Sequence, residues 1–170
     1  MSNPLDDSFD AYTTIMDALK VVRRILDSQS QEMLDGTSLW GLNKREARDL
    51  LKRIEDEFQG LVVLSLFSFF ENTIRSHLKS QLGPLAKYSS TPIRLGDELH
   101  RYISKEVDWW KMDEALDLFS SSVDSGIKGD SKHIKNYRDF VAHRGKPAAP
   151  VPPAIAYERL TKFLEQAGLV

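Results

Sequence analysis

Ten residues near the end of the chain, Asn136-Tyr137-Arg138-Asp139-Phe140-Val141-Ala142-His143-Arg144-Gly145, hold the side chains best suited to chemistry. Arg138 and His143 stand five positions apart. A guanidinium is always charged and grips phosphate through paired hydrogen bonds, and an imidazole moves a proton near neutral pH. Together they have what phosphodiester cleavage needs without a metal: a cation for the developing charge and an acid or base for the attacking and leaving oxygens. Asp139, four residues before His143, lies about 40° from it around a helix and is expected to accept its ring N–H and orient it. Ala142 keeps the surface low, so that a nucleic-acid backbone or a second helix can come close. Arg138 and His143 are about 140° apart on the same wheel. The arginine must therefore wrap round, or complement a histidine from a second chain. Ile134, Tyr137 and Val141 cluster on the core-facing side, Asp139 and His143 lie on the opposite side, and Arg138 with Ala142 takes an adjacent strip. The polar members are therefore expected to point at solvent or at another subunit.

Local charge adds to this. Between Lys128 and Lys146 there are six Lys or Arg against two Asp, a surplus of four in a chain whose net charge is −2. Such a strip attracts polyanions even when the whole molecule does not, and Lys135, Arg144 and Lys146 are the candidate substrate-binding residues beside the pair. A plainer reading is a solvated helix face whose basic residues suit the C-terminal dipole. Spacing alone does not decide, since Arg94 and His100 repeat it with Leu95 and Gly96 following the arginine. Glu71 and Arg75, at i,i+4, form either an ordinary intrahelical ion pair or support beneath the motif helix. Trp109-Trp110 could stack on bases, or act as one core anchor and one rim residue. His77 and His133 have no second ligand at metal spacing and read as surface residues. The chain has no phosphate-cradling glycine loop, Ser-His-Asp arrangement or zinc pattern. Without cysteine, disulfide and thiolate chemistry are excluded. No metal and no cofactor are expected.

The elements that must position these residues are helical. The 170 residues, 41% hydrophobic and 28% charged, suit one soluble domain spanning 1–170. Tyr12, Ile15, Leu19, Val22, Ile25 and Leu26 mark a first helix from about Ser8 to Met33. Asn43-x-x-Glu46 is a capping box opening a long second helix, which Gly83-Pro84 stops and Gly60 is expected to kink. Its middle, Leu61–Phe70, is apolar nearly all round, as in a helix central to a bundle or shared between subunits. Thr91-Pro92 opens a shorter helix to about Val107, and Asp108 is expected to cap another from Trp109 to about Val123. Ser125–Asp130, with two glycines, reads as a linker before a motif helix starting at Ser131. Lys146–Pro153 is a proline-broken loop, and Ile155, Leu160, Phe163 and Leu164 line a closing helix. The expected fold is all-α, an up-and-down bundle with one long central helix. Met1–Asp7 lacks a signal-peptide pattern, and the longest apolar run is about half a membrane span. A cytoplasmic protein with no membrane partner is the expectation.

The motif and its setting resemble the HEPN superfamily, whose signature is Arg-x4–6-His, commonly with Asn, Asp or His after the arginine. Here Arg138-Asp139-x-x-Ala142-His143 fits it. The long helix with Phe70-Glu71-Asn72-Thr73-Ile74-Arg75, the motif helix, the broken loop and the closing helix follow in the same order, so the resemblance covers most of the chain. It implies a metal-independent endoribonuclease acting as a homodimer, with Arg138, Asp139 and His143 in the active site and RNA as substrate. It also implies a toxin or defence effector with an antitoxin or other partner protein. A subgroup paired with a nucleotidyltransferase antitoxin carries tyrosine two residues after the histidine; this chain has Gly145 there, so control through that tyrosine is not implied. The alternative within the resemblance is a non-catalytic module binding nucleotide, RNA or protein.

Overall fold

The computed structural model describes residues 3–28, 31–83, 95–144 and 148–170. Within them the chain forms six α-helices and no strand: α1 Asp6–Asp27, α2 Lys44–Gln81, α3 Leu95–Glu106, α4 Met112–Asp117, α5 Ser125–His143 and α6 Pro153–Gln166. The all-α fold with one long central helix is as expected. None of these helices is long and apolar enough to cross a membrane.

Helix α2 starts where the sequence places it. Asn43 accepts hydrogen bonds from the backbone N–H of Arg45 and Glu46, and the Glu46 carboxylate accepts from the Asn43 N–H, closing the capping box. Its 38 residues give a length of about 57 Å. Antiparallel to it runs α1, held by Ser8 opposite Ser65, Arg23 bonded to Glu55 and Arg48 bonded to Asp27. Helices α5 and α6 pair antiparallel on another side of α2, through Asp124 to Gln166 and Asp130 to Arg159. Phe67, Phe70 and Phe163 fill the centre, with Phe70 and Phe163 edge to face at 5.2 Å. The N-terminal residues close the bundle: Leu5 is buried, and Tyr157 donates to Asp6 at 2.8 Å. A separate, smaller cluster of Leu26, Leu34, Ala47 and Leu51 lies at the far end of the α1–α2 hairpin.

Three expected boundaries change. Helix α1 stops at Asp27 rather than Met33; Gln31–Leu34 forms a 3-10 turn that places Leu34 in the small cluster. Helix α2 is continuous in hydrogen bonding through Gly60, the position expected to bend. That glycine lies against α5, since a Cβ there would meet both Val141 methyl groups at 3.4 Å. Asp108 does not cap a helix: it pairs with Lys79 at 2.7 Å, and α4 is a short helix beginning at Met112 behind Lys111. The stretch expected as a linker is the first turn and a half of α5. Asp124 caps it by accepting from the Gly126 N–H at 2.7 Å and the Ile127 N–H at 3.4 Å. A good side-chain cap offsets much of the helical cost of two glycines, about 1 kcal/mol each. Ser131, expected as the start, is buried mid-helix and donates to the Ile127 carbonyl. The proposed stop at Pro84, the Thr91-Pro92 opening and Arg94 lie outside the described residues.

Candidate active site

Helix α5 presents its residues in a different register of exposure from that expected. Ile134 and Tyr137 are buried and Val141 is half-buried, as the apolar stripe predicts. Arg138 is not on the outside. Its side chain is only 20% exposed and turns inward onto α2. The guanidinium carbon lies 4.7 Å above the centroid of the buried Phe67 ring, and Nη2 donates to Glu71 Oε2 at 2.7 Å. The physical reason is that Arg138 lies about 40° from Ile134 around α5, at the edge of the stripe that faces α2, and α5 also packs against α4 and α6. A cation over an aromatic face and against a carboxylate suits such a position, although its buried Nε has no hydrogen-bond partner among the described residues.

Glu71 and Arg75 are brought beneath the motif helix. One carboxylate serves two arginines: Glu71 Oε1 accepts from Arg75 Nε at 3.0 Å and Nη2 at 2.7 Å, and Oε2 accepts from Arg138. Arg75 reaches further, donating to the backbone carbonyl of Val107 and to that of Trp110 at 3.0 Å. The i,i+4 pair therefore forms, and it also ties α2 to both α5 and the turn between α3 and α4. The Glu71–Arg75 spacing was the signal for this link; nothing in the sequence marked Phe67 or the two carbonyls as its other ends.

Asp139 does not orient His143. Its carboxylate lies 3.3 Å from Lys135 Nζ and 3.3 Å from Arg138 Nη1. Asp139 has i,i+4 neighbours on both sides, and the flexible ammonium one turn back takes the contact. Lys135, only 17% exposed, also pairs with Asp113 of α4 at 3.3 Å. The result is a chain of alternating charge, Arg75–Glu71–Arg138–Asp139–Lys135–Asp113. Lys128 and Lys132 are similarly met by Asp117 of α4, at 3.1 and 2.8 Å. Hydrogen bonds from Lys132, then Lys128, hold the Asp117 carboxyl below the usual carboxylate range. Much of the basic strip is thus compensated by acids from a distant part of the sequence.

His143 is the last residue of α5, exposed, and its ring makes no hydrogen bond to the described residues. Arg144 follows in the left-handed conformation, φ 51° and ψ 31°, with its N–H on the Phe140 carbonyl at 2.8 Å. This turn is unusual for a residue other than glycine or asparagine and costs about 1 kcal/mol. Arg144 lines an open cleft of about 310 Å³ with Asp56, Glu57, Gly60, Leu61, Tyr137 and Val141. Leu61 on its wall is 57% exposed. Gly145 and Lys146 lie outside the described residues.

Arg138 and His143 therefore leave the same helix in different settings: a braced, mostly covered cation at the α2–α5 seam, and an open imidazole at the helix end. His133 is exposed, while His77 is half-buried with its ring 5.9 Å from that of Phe119. No protein-family model, curated protein or solved structure matches the chain.

Proposed function

We propose that this chain is a metal-independent endoribonuclease of the HEPN kind, working in the cytoplasm as a homodimer. The observation that carries the reading is the state of Arg138. Carboxylates and an aromatic face fix its guanidinium, yet one fifth of the side chain stays open. A cation fixed in advance stabilises a developing phosphorane charge without reorganising at the moment of reaction. The exposed His143 supplies proton transfer. In the reaction the 2′-oxygen of RNA bonds to the adjacent phosphorus as its proton passes to an imidazole. The bond from phosphorus to the 5′-oxygen breaks, and that oxygen takes a proton. The products are a 2′,3′-cyclic phosphate and a 5′-hydroxyl.

Separation of the two groups within one chain favours a site completed by a second copy, which also supplies a second imidazole, one acting as base and the other as acid. Exposed Leu61 and the cleft beside it suit such a twin. The cleft's wall is apolar at Leu61, Phe140 and Val141, while Asp56 and Glu57 repel phosphate and complement the basic end of a partner's motif helix. The resemblance extends the proposal to a toxin or defence role with a neutralising partner protein.

The test is purified protein with single-stranded RNA in EDTA. Cleavage is expected to persist under chelation, to spare DNA, and to fall at least a hundredfold in His143→Ala, on the order of what one general acid or base contributes. Cleavage lost with the chelator, or kept in both His143→Ala and Arg138→Ala, overturns the mechanism. A second reading, a non-catalytic RNA-, nucleotide- or protein-binding module, is favoured by the engagement of Arg138 with Glu71. Salt-sensitive RNA binding without turnover selects it.

A further inference from the structure

The two tryptophans between α3 and α4 are absorbed by neither the core nor the motif. Trp109 is 83% exposed, the highest value among the large apolar side chains of the described residues. An indole left in water on a loose loop would be unremarkable, but this turn is braced from every side. Val107 and Met112, 1% and 4% exposed, anchor its two ends in the interior. The backbone N–H groups of Trp109 and Trp110 both donate to the Glu106 carbonyl, at 2.8 and 3.1 Å. Lys79 on α2 holds Asp108 at 2.7 Å. Arg75 bonds the carbonyls of Val107 and Trp110, and the nitrogen that takes the Trp110 carbonyl also takes Glu71. Glu71 in turn holds Arg138. Three hydrogen bonds thus connect the turn bearing an open indole to the guanidinium proposed to meet phosphate.

We infer that Trp109 is a nucleobase-stacking platform for single-stranded RNA, kept in fixed relation to Arg138 by the Arg75–Glu71 link. The inference rests on Arg138 being the phosphate contact of the proposed function. A rigid aromatic face loses little entropy when a base stacks on it, and any base presents a π-face, so the contact is strong and tolerant of sequence. Exposed Lys111 beside the turn adds a cation for the backbone. Trp40, the other exposed tryptophan, lies before the first turn of α2, away from the Phe67–Arg75 segment that contacts Arg138.

Binding is measured with a fluorescein-labelled twelve-nucleotide single-stranded RNA and the His143→Ala protein, so that turnover does not interfere. Adding Trp109→Ala is expected to weaken binding about five- to a hundredfold, the range for loss of one stacked base. Trp109→Phe should recover most of the loss, and Trp40→Ala should change nothing. The Trp109→Ala effect should persist as salt rises and vanish on an abasic oligonucleotide of equal length, since phosphate contacts are salt-sensitive and stacking is not. Equal affinity of the Trp109→Ala and parent proteins for the RNA, an equal effect on the abasic strand, or no RNA binding by the parent protein overturns the inference. Stacking-dependent binding by a native chain that cleaves nothing keeps the platform and removes the nuclease. Cleavage by the native chain with no Trp109 effect does the reverse.

Discussion

At the residue scale the central fact is that one carboxylate is shared. Glu71 stands between Arg75 and Arg138, whose side chains are 16% and 20% exposed. Removing an anion from such a place leaves two cations facing each other in a low dielectric, which costs more than the pair contributes when intact. Glu71→Ala is therefore expected to lower unfolding free energy by about 2 kcal/mol in urea denaturation, the covered-pair penalty reduced for partial exposure. Glu71→Ala combined with Arg138→Met should recover part of that loss, because the unpaired charge over Phe67 is gone. A single variant as stable as the native chain would show that Asp139 alone suffices for Arg138. The sequence made Arg138, Asp139, His143 and Glu71 visible as residue types at telling intervals. It did not reveal which of them meet, because a helical wheel knows the angle of a side chain and nothing of how many neighbours surround the helix. The wheel does put Arg138 about 40° from Ile134, beside the apolar stripe; its charge argues for the outside, and only its carboxylate and ring partners on α2 explain the inward turn.

At the element scale, the capping box and most of the apolar stripes of α1, α2 and α6 were legible because each is local, although Ile15 and Ile155, read as stripe members, are 40% and 44% exposed. The start of α5 was not legible. Two glycines argued for a linker, and the Asp124 cap together with the docking of Lys128 and Lys132 on Asp117 overrode them. That docking makes the hold of α4 on α5 depend on pH. Asp117 has a folded pKa below its unfolded value, so its contribution is present above the ordinary carboxylate range. It is lost as pH falls through the lowered folded value. Asp117→Asn is accordingly expected to flatten the acid limb of a stability–pH curve while leaving the neutral-to-alkaline limb parallel to that of the native chain. An unchanged acid limb would place the acid sensitivity elsewhere, with Asp27 the next candidate, since Lys44 and Arg48 also hold it low.

For the whole molecule, the open question is what meets the surface beside the motif. Leu61, 57% exposed, and the half-buried Phe140 and Val141 adjoin Arg144. The proposed dimer would cover this surface with its second copy. In the proposed dimer, Leu61→Glu should shift light scattering at micromolar concentration from two chains to one and abolish RNA cleavage, while the circular dichroism and melting of the chain stay native. A native protein that is already monomeric would exclude the shared site. The bundle's division into two clusters has a different consequence. The larger one holds α5, α6 and the Phe67–Phe70 region, and the smaller has four buried members, Leu26, Leu34, Ala47 and Leu51, with half-buried Leu19, Val22, Ile25 and Leu39 against them at the hairpin tip. Because the tip has a small core of its own, separate from the larger one, and mostly exposed ion pairs, it is expected to open and close as its own cooperative unit. Amides there would trade hydrogen for deuterium long before those under the arginine–carboxylate chain.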